Sequence, residues 1–366
     1  MYEGHTVAVV VPAYNEEGYV GPTIDTMPSF VDRVYVVDDA STDDTWSEIR
    51  SHAAAVNESR SPEAPGFDRV VVPLQHETNR GVGGAIKTGY QNALADGVDV
   101  AAVMGGDHQM NPAELHRYVE PIVRGEADYA KGCRFLDRAD WADIPRFRLV
   151  GNVLLSYLSK AASGYWRLLD PQNGYTAIST DALARVDLDA MYEYYGYCND
   201  LLVKLNVENI RVADVPRSST FAFEDEWKSH IDYGEYVPRV SWMLLRNFFY
   251  RLNRKYLFRD FHPLALVYYL GLGLAGFGLA RLGASALPGR GGAAEASGSG
   301  GAAWWTLLLG VVLLLHAAVL DAVDNEDLVV QIHERPEAPA EVEPTADAPT
   351  DAAESDPLAA DGGAEG

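Results

Sequence analysis

Residues 6–17 read TVAVVVPAYNEE, an apolar and β-branched run that ends at Pro12 and is followed by polar residues. Runs of the same kind recur at 33–39, 69–75 and 98–107. Stretches with helical periodicity lie near 17–27, 43–55, 83–95 and 113–124. Strands that are apolar throughout and alternate with helices are typical of a parallel sheet covered on both faces. The sequence therefore predicts an α/β fold with a mostly parallel sheet between two layers of helices.

The residues after the first two strands are polar or acidic, and ligands of such sheets bind beyond the carboxyl ends of the strands. Tyr14 and Glu16 follow the first strand, where an aromatic ring beside carboxylates can hold a nucleobase and its ribose. Asp38 and Asp39 end the second strand and suit a ribose hydroxyl or a base edge. The alternative for both segments is the capping of the helix that follows.

Two further candidate sites follow the next strands. In NRGVGGAIKTGY (79–90), Gly81 and Gly83 allow close approach of a ligand at a helix start, where backbone N–H groups favour anions. The spacing matches neither a Walker A loop nor the dinucleotide fingerprint. In VMGGDHQMNP (103–112), Asp107 and Gln109 lie on one side of an extended segment, and their oxygen atoms suit Mg²⁺ or Mn²⁺. His108 points the other way and is expected to be structural.

Composition restricts the functions that this chain can have. It has 366 residues, 48% of them apolar, and a formal net charge of −24. So acidic a chain lacks the basic footprint that nucleic-acid binding requires. Acidic surfaces suit a salt-rich cytoplasm, where screening weakens self-repulsion, so the charge predicts a halophile. Cys133 and Cys198 are the only cysteines, which excludes a disulfide framework and a thiolate metal cluster.

The carboxyl-terminal part of the sequence indicates a membrane protein. Two apolar spans, 263–282 and 303–323, are each about 20 residues long, enough to cross roughly 30 Å of hydrocarbon. Gly271 and Ala275 form a small-xxx-small pair that favours close helix packing. The amino terminus lacks the basic and apolar regions of a signal peptide and is expected to begin the first strand. The catalytic body is therefore expected in the cytoplasm.

A basic segment precedes the first span. Residues 236–259 contain six basic residues and no acidic one, mixed with aromatic residues. Such a helix is typical of the interface of an anionic membrane, and its charge places this side in the cytoplasm. A core helix with a solvated face is the alternative. Thirteen acids and one arginine follow from Asp324 to Gly366, and this composition predicts a disordered tail.

The predicted organisation has four parts along the chain. They are a catalytic domain at 1–225, a basic interfacial segment at 226–260, two transmembrane helices at 261–323 and an acidic tail at 324–366. Two crossings return the tail to the cytoplasmic side.

The four strand-end signatures, in this order and spacing, resemble family 2 of the GT-A glycosyltransferases. More closely, they are similar to the polyprenyl-phosphate hexosyltransferases that include dolichyl-phosphate mannose and glucose synthases. The resemblance covers about residues 5–260. It includes KGCRF (131–135), RLVGNVLLSYL (148–158), DPQNGYTAIS (170–179) and GYCNDLLVKLN (196–206). It implies a Rossmann-like GT-A domain and transfer of a hexose from GDP-mannose or UDP-glucose to polyprenyl (dolichyl) phosphate, with inversion, at the cytoplasmic membrane face.

The resemblance also implies roles for individual residues. The nucleoside contacts would be Pro12, Tyr14, Glu16, Asp38 and Asp39, and the metal ligands would be Asp107 and Gln109. The family's usual Asp-x-Asp pair has Gly105 in place of its first acid, so the metal loses an expected ligand.

On the acceptor side, the resemblance implies two acids as catalytic candidates. Asp170 aligns with an acid near the acceptor, and Asp200 falls where related inverting enzymes carry their base. A phosphate monoester is already largely a dianion at pH 7, so an acid can position the acceptor without removing a proton. Arg134, and Arg146 or Arg148, would offset the phosphate charges; surface ion pairs are the alternative for these arginines.

Three other functions compete with lipid-linked transfer. A processive polysaccharide synthase shares the nucleotide-binding half, but this sequence has no Gln-x-x-Arg-Trp and too few spans for a secretion channel. An inactive transferase scaffold is favoured slightly by Gly105. A sugar nucleotidyltransferase would have a Gly-rich loop with Arg and Lys directly after the first strand, where PAYNEE stands.

Overall fold

The computed structural model describes residues 1–133, 146–216, 233–286 and 293–332. Its strands are β1 (Val7–Ala13), β2 (Arg33–Asp38), β3 (Val71–Gln75), β4 (Val100–Val103), β5 (Tyr129–Cys133), β6 (Thr176–Ser179), β7 (Val212–Pro216) and β8 (Val329–Gln331). Its helices are α1 (Val20–Asp25), α2 (Thr45–Ser59), α3 (Val82–Asp96), α4 (Leu115–Val123), α5 (Arg146–Ser163), α6 (Thr180–Arg185), α7 (Tyr197–Val207), α8 (Tyr233–Arg251), α9 (Leu264–Ala286) and α10 (Ala293–Asp324). A π-helix, Leu252–Arg259, continues α8.

The eight strands form one sheet in the order β3-β2-β1-β4-β6-β5-β7-β8. Neighbouring strands run parallel except at β6, which is antiparallel to β4 and β5. Residues of β1 alternate between two buried cores: Val7 and Val9 pack on one face, and Ala8 and Val10 pack on the other. The predicted α/β fold with a mostly parallel sheet is confirmed.

This topology brings several predicted site segments to one edge of the sheet. β1 pairs with β2 and β4 in parallel, so the residues after Ala13, Asp38 and Val103 emerge at the same edge. β6 runs the opposite way, with Thr176 opposite Val103, so the loop that precedes β6 also reaches this edge. The structure thereby places the DPQNGY loop beside the first, second and fourth signatures.

The basic segment is only partly a surface. Trp242, Leu245 and Arg246 of α8 are exposed, as expected for an interfacial helix. Two of the six basic residues are not: Arg251 is fully buried, and Lys255 is 2% exposed. Burial and the neighbouring Arg251 charge lower the pKa of Lys255 to about 8. These two residues do not contribute to an interfacial surface, because both bind polar groups at the end of α10.

Helices α9 and α10 pack against each other and are long and apolar enough to cross a membrane, over Leu264–Ser285 and Gly301–Asp324. Small residues let them approach closely. A Cβ at Gly310 would lie 2.3 Å from the backbone nitrogen of Ala275, and a Cβ at Gly271 would lie 3.0 Å from Leu314 Cγ. The predicted contact role of Gly271 and Ala275 is confirmed.

The chain after α10 returns to the sheet. A 3₁₀ turn at Glu326–Leu328 leads into β8, whose Val329 pairs with Val212 of β7. The predicted start of the tail at Asp324 is therefore wrong. The short apolar run LVVQI (328–332) within an acidic region was the signal for this strand. Residues 333–366 lie outside the described part of the chain.

Gly310→Ala is expected to lower the free energy of unfolding by about 1–3 kcal/mol, since its methyl group overlaps the α9 backbone. Gly273→Ala is the matched control, because nothing lies within 4 Å of a Cβ at that position. Thermal unfolding of the two purified variants in detergent compares them. Equal midpoints would contradict the close packing of the hairpin.

Candidate active site

The loops after β1 and β2 are bonded to each other. The Asn15 amide donates to Ser41 Oγ at 3.0 Å, and the Thr42 amide donates to Asn15 Oδ1 at 2.8 Å. The Glu16 amide donates to Thr45 Oγ1 at 2.8 Å. These contacts fix the backbone around Glu16, while the Tyr14 ring stays 46% exposed. An exposed aromatic ring beside a fixed carboxylate at this sheet edge is compatible with nucleoside binding.

Asp38 and Asp39 are buried and bonded within the protein. Asp38 accepts from Gln75 Nε2 at 2.9 Å and from the Ser41 amide at 3.2 Å. Asp39 Oδ1 accepts from the Arg80 amide at 2.9 Å, and its Oδ2 accepts from the Gly81 amide at 2.7 Å. Asp39 therefore orders the glycine-rich loop.

A histidine that the sequence analysis missed joins this network. His76 Nδ1 lies 2.6 Å from Asp39 Oδ1, and its Nε2 lies 2.9 Å from Thr88 Oγ1 on α3. The imidazole thus connects Asp39 to the helix that follows the glycine-rich loop. No motif marked His76, since its role depends on strands that meet only in the fold.

The glycines of that loop make room for protein backbone. A Cβ at Gly81 would lie 2.6 Å from Glu193 O, and a Cβ at Gly83 would lie 2.4 Å from Tyr192 O. The Gly84 amide donates to Glu193 O at 2.9 Å. These glycines are required for close approach of the protein's own backbone, the segment at 192–193. A ligand role for Gly81 and Gly83 stays a prediction.

The segment MYEYYGYCN (191–199) begins with residues 191–195, a part of the site that the sequence analysis missed. Glu193 binds Arg80 at 2.9 Å and Lys87 at 3.2 Å, and both cations hold the pKa of this carboxyl below its ordinary value. At the other end, Cys198 Sγ donates to Asn173 O at 3.7 Å. The segment therefore spans from the glycine-rich loop to the DPQNGY loop. Its repeated tyrosines are the sequence feature that could have marked this segment as a candidate part of the site.

Glu16 and Asp107 form an acidic centre at the sheet edge. Burial, then the charges of Asp107 and Asp43, raise the pKa of Glu16 to about 7. Burial, followed by the negative charges of Glu16 and Asp107, raises the pKa of Tyr195. Tyr195 is half-exposed. The fold thus joins the first signature, the fourth signature and the tyrosine-rich segment around one concentration of negative charge.

The residues at 105–109 fit a divalent cation that takes most of its ligands from elsewhere. Among the described residues, no three His, Cys, Asp or Glu side chains are grouped to hold a metal ion. A Cβ at Gly105 would lie 2.8 Å from Asp107 Oδ1, so the Asp107 carboxylate occupies the space beside this glycine. Mg²⁺ is often held by one or two carboxylates together with substrate phosphates and water. Asp107 and Gln109 are compatible with such a shell.

His108 behaves as predicted. It is buried, its Nδ1 lies 3.3 Å from Thr23 Oγ1, and burial lowers the pKa of its imidazole. Its φ of 54° lets the flanking residues, Asp107 and Gln109, turn away from it. The histidine is therefore part of the α1 packing rather than of the acidic centre.

Asp170 is the first residue of the DPQNGY loop and lies in a buried group of charges. Lys131 of β5 donates to the backbone carbonyl of Asp170 and is paired in register with Asp214 of β7. Burial raises the pKa of Asp214 to about 6, against the opposing effect of Lys131. Asp214 also accepts from the Leu169 amide at 2.7 Å. Strand pairing thus anchors the loop that carries Asp170.

Asp200 is held on all sides by protein groups. It has no exposed surface and pairs with Lys204 at 2.6 Å. It also accepts from Asn247 Nδ2 at 2.8 Å and from the Tyr192 amide at 2.9 Å. These contacts join α7, α8 and the tyrosine-rich segment. Asp200 therefore has a structural role. Whether Asp200 also acts in chemistry stays a prediction.

The predicted acceptor arginines are only partly placed. Arg134 lies outside the described residues. Arg146 and Arg148 lie in the first turn of α5. Along the chain, this helix is followed by the loop at 170–175, which begins with Asp170.

Comparison with known proteins places this arrangement in a family. The family model described as Glycosyl transferase family 2 matches residues 8–187. A polyprenol monophosphomannose synthase from Mycolicibacterium smegmatis is 31% identical over 230 residues, covering 58% of this chain and 76% of that protein. This chain belongs to glycosyl transferase family 2. The predicted GT-A fold is confirmed by the family and by the mixed sheet.

Two other relatives of this family 2 glycosyltransferase carry different sugars in their names. A UDP-N-acetylglucosamine–dolichyl-phosphate N-acetylglucosaminyltransferase from Methanococcus voltae is 26% identical over 211 residues, covering 57% of this chain and 84% of that protein. An undecaprenyl-phosphate mannosyltransferase from Micrococcus luteus is 29% identical over 221 residues, covering 57% of this chain and 82% of that protein.

Glu16→Gln is expected to change how stability of this transferase depends on pH. The folded pKa of Glu16, about 7, lies above its ordinary value of 4.5, so in between the native state binds a proton that the unfolded state has released. The wild-type free energy of unfolding therefore falls, relative to Glu16→Gln, as pH rises from about 4.5 to about 7, and the difference stays constant above that. Denaturant unfolding of both proteins at several pH values across this range measures the difference in their free energies of unfolding. Glu17→Gln is the exposed control, and parallel wild-type and Glu16→Gln profiles would contradict the burial.

Asp200→Ala is expected to cost about 3–5 kcal/mol of stability, because it leaves the Lys204 ammonium buried without its counter-charge. Adding Lys204→Met removes that charge and is expected to restore most of the loss. Chemical unfolding measures the free energy of unfolding of both variants. A folded double variant that transfers sugar shows a structural Asp200; a folded double variant that is inactive shows that Asp200 takes part in the reaction.

Proposed function

We propose that this chain transfers a hexose or N-acetylhexosamine from a nucleotide sugar to a polyprenyl phosphate, of the dolichyl type in a haloarchaeon. The observation that carries the proposal is the joining of Glu16, Asp107 and Tyr195 at the sheet edge, next to the DPQNGY loop, in a chain with two apolar carboxyl-terminal helices. The relatives named for polyprenyl-phosphate transfer support the acceptor. They differ in sugar, so UDP-N-acetylglucosamine joins GDP-mannose and UDP-glucose as a candidate donor.

The donor would lie against the carboxyl ends of β1, β2 and β4. Tyr14 offers an exposed ring for the base, and Pro12, Asp38 and Asp39, at the ends of β1 and β2, would hold the nucleoside. In this structure Asp39 holds the Arg80 and Gly81 amides, so it shapes the loop that closes this side of the site. A divalent ion, Mg²⁺ or Mn²⁺, bound by Asp107 and Gln109 would supply charge neutralisation for the departing diphosphate.

The reaction is a direct displacement at the anomeric carbon. The bond from this carbon to the donor phosphate oxygen breaks as a lipid phosphate oxygen forms a bond from the opposite face, with inversion. The acceptor needs little deprotonation, because a phosphate monoester is largely dianionic at pH 7. Asp170, held through its backbone by Lys131, would position the acceptor, and Arg134 with Arg146 or Arg148 would offset its charge.

The membrane hairpin would keep the catalytic body at the cytoplasmic face. The π-helix packs on the start of α9, and β8 pairs with β7 after α10, so both ends of the hairpin meet the catalytic body. Exposed Arg239, Arg246 and Arg254 supply positive charge on that side. Two spans are also few for a processive synthase that secretes its own polymer.

The test is transfer of label from UDP-N-acetylglucosamine, UDP-glucose and GDP-mannose into polyprenyl phosphate, with Mg²⁺ or Mn²⁺ and high salt. Label is expected in the lipid phase with one donor, and Asp107→Ala is expected to reduce the rate by at least about a hundredfold. Asp181→Ala, an exposed acid in the first turn of α6, is the control and is expected to be fully active.

The outcome of this assay decides between the proposed functions. Transfer that requires Asp107 and the metal establishes the enzyme and identifies its sugar. A folded, membrane-bound protein that labels no lipid with any donor favours the inactive scaffold, and label in a polymer favours the polysaccharide synthase.

A further inference from the structure

A buried ion pair joins the membrane hairpin to the catalytic body. Arg251 donates from Nη1 to Asp321 Oδ1 at 2.8 Å and from Nη2 to Oδ2 at 2.7 Å. Neither side chain has exposed surface. Asp321 lies in the last turn of α10. Burying two charges is costly enough that such a pair is weak evidence of net stabilisation. Stability alone therefore does not account for it.

The same guanidinium also binds α5. Its Nε donates to Ala162 O at 2.9 Å, and its Nη2 donates to Ala161 O at 3.1 Å. These carbonyls belong to the last turn of α5, where carbonyl groups lack partners within the helix. The Trp166 indole, just beyond α5, donates to Asp321 Oδ2 at 3.1 Å. One side chain thus holds the end of α5 and the end of α10 together in a fixed geometry.

The backbone is shaped to accept this arginine. Gly164, directly after α5, has a φ of +79°, and a Cβ there would lie 2.4 Å from Arg251 Nη1. On the α10 side, Tyr256 donates to Asp321 Oδ1 at 2.7 Å. Asn325 Nδ2 donates to the same oxygen at 3.0 Å, and Tyr268 of α9 donates to Oδ2 at 3.5 Å. Both carboxylate oxygens therefore have several donors, which hold the pair in one arrangement.

Helix α8 also reaches the donor side. Asn247, one turn before Arg251, donates to Asp200, which accepts from the amide of Tyr192. The carbonyl of Glu193 in turn accepts from Gly84 of the glycine-rich loop. The helix that ends in Arg251 is therefore bonded directly to α5, and it is linked to the donor-side loop through Asp200 and the segment at 192–193.

We propose that Arg251 is a positioning residue: it fixes α5 relative to the membrane hairpin, so that a lipid phosphate anchored in the bilayer reaches the site at one depth and in one orientation. The inference rests on the proposed transfer to lipid phosphate. A phosphate acceptor anchored in the bilayer cannot adjust its depth freely, whereas a soluble acceptor can. Loss of the link is therefore expected to affect the anchored acceptor selectively.

The experiment compares a long-chain polyprenyl phosphate in liposomes with a short-chain isoprenyl phosphate in solution. One variant combines Arg251→Met with Asp321→Leu, since replacing both charges by apolar groups avoids an unpaired buried charge. The second is Arg251→Lys, which keeps the charge but has no planar fork to reach α5 and Asp321 together. The control is Arg167→Gln, which breaks an exposed ion pair with Glu326 that spans the same two regions at 2.9 Å.

In the double variant, kcat/KM is expected to fall about a hundredfold for the liposome acceptor, because a displacement of about 1 Å has that effect on a reaction. For the soluble acceptor it is expected to change less than about threefold, and Arg251→Lys is expected to lie between wild type and the double variant. Arg167→Gln is expected to leave both unchanged. Equal losses with the two acceptors, or no loss with either, would overturn the proposal.

A second readout requires no transfer and separates this inference from the proposed function. Amide hydrogen exchange over residues 158–166 is expected to rise in the double variant and to stay at the wild-type rate in Arg167→Gln. Wild-type protein that transfers to neither acceptor would overturn the proposed function alone. Unchanged exchange in the double variant would overturn the link between Arg251 and α5.

Discussion

The parallel pairing of β1 with β2 on one side and β4 on the other is the constraint on which the rest of the structure depends. Every residue from Val7 to Val11 is fully buried, so β1 has no freedom to shift its register without moving apolar side chains into the wrong core. Because the three strands run the same way, their carboxyl ends share one edge. Polar residues that lie far apart in the chain meet there.

At that edge, protein groups hold the acids in place in two different ways. Asp38, Asp39 and Asp200 are buried and fully bonded to amides, amide side chains or Lys204, so their positions are fixed. For Glu16, burial and then the negative charges of Asp107 and Asp43 instead raise the pKa to about 7. Bringing like charges together costs free energy, and a cation together with a diphosphate is the kind of ligand that offsets it. The contrast separates the acids that build the site from those that would bind the ligand.

Helix α8 likewise combines exposed residues with a buried residue that is bonded within the protein. The exposed face of α8 carries Trp242, Leu245 and Arg246, which suit an interface between water and lipid. Its last residue, Arg251, is buried against Asp321. A surface helix alone would allow the catalytic body to tilt freely on the bilayer. The buried pair, together with β8 in the sheet, limits that freedom because hairpin and body then share bonded residues at both ends.

The sequence by itself determined the α/β fold, the first four strands, the two apolar helices and the positions of Glu16, Asp39 and Asp107 at strand ends, because periodicity and strand-end polarity are local properties of the chain. Only the tertiary structure decided that Arg251 and Lys255 turn inward, that Val329–Gln331 joins the sheet and that Gly81 and Gly83 pack on residues 192–193. These features depend on partners that are distant in the chain, such as Asp321, 70 residues from Arg251, or Glu193 for Gly81. A local pattern gives the type of a residue, whereas its partner is set by how the elements pack.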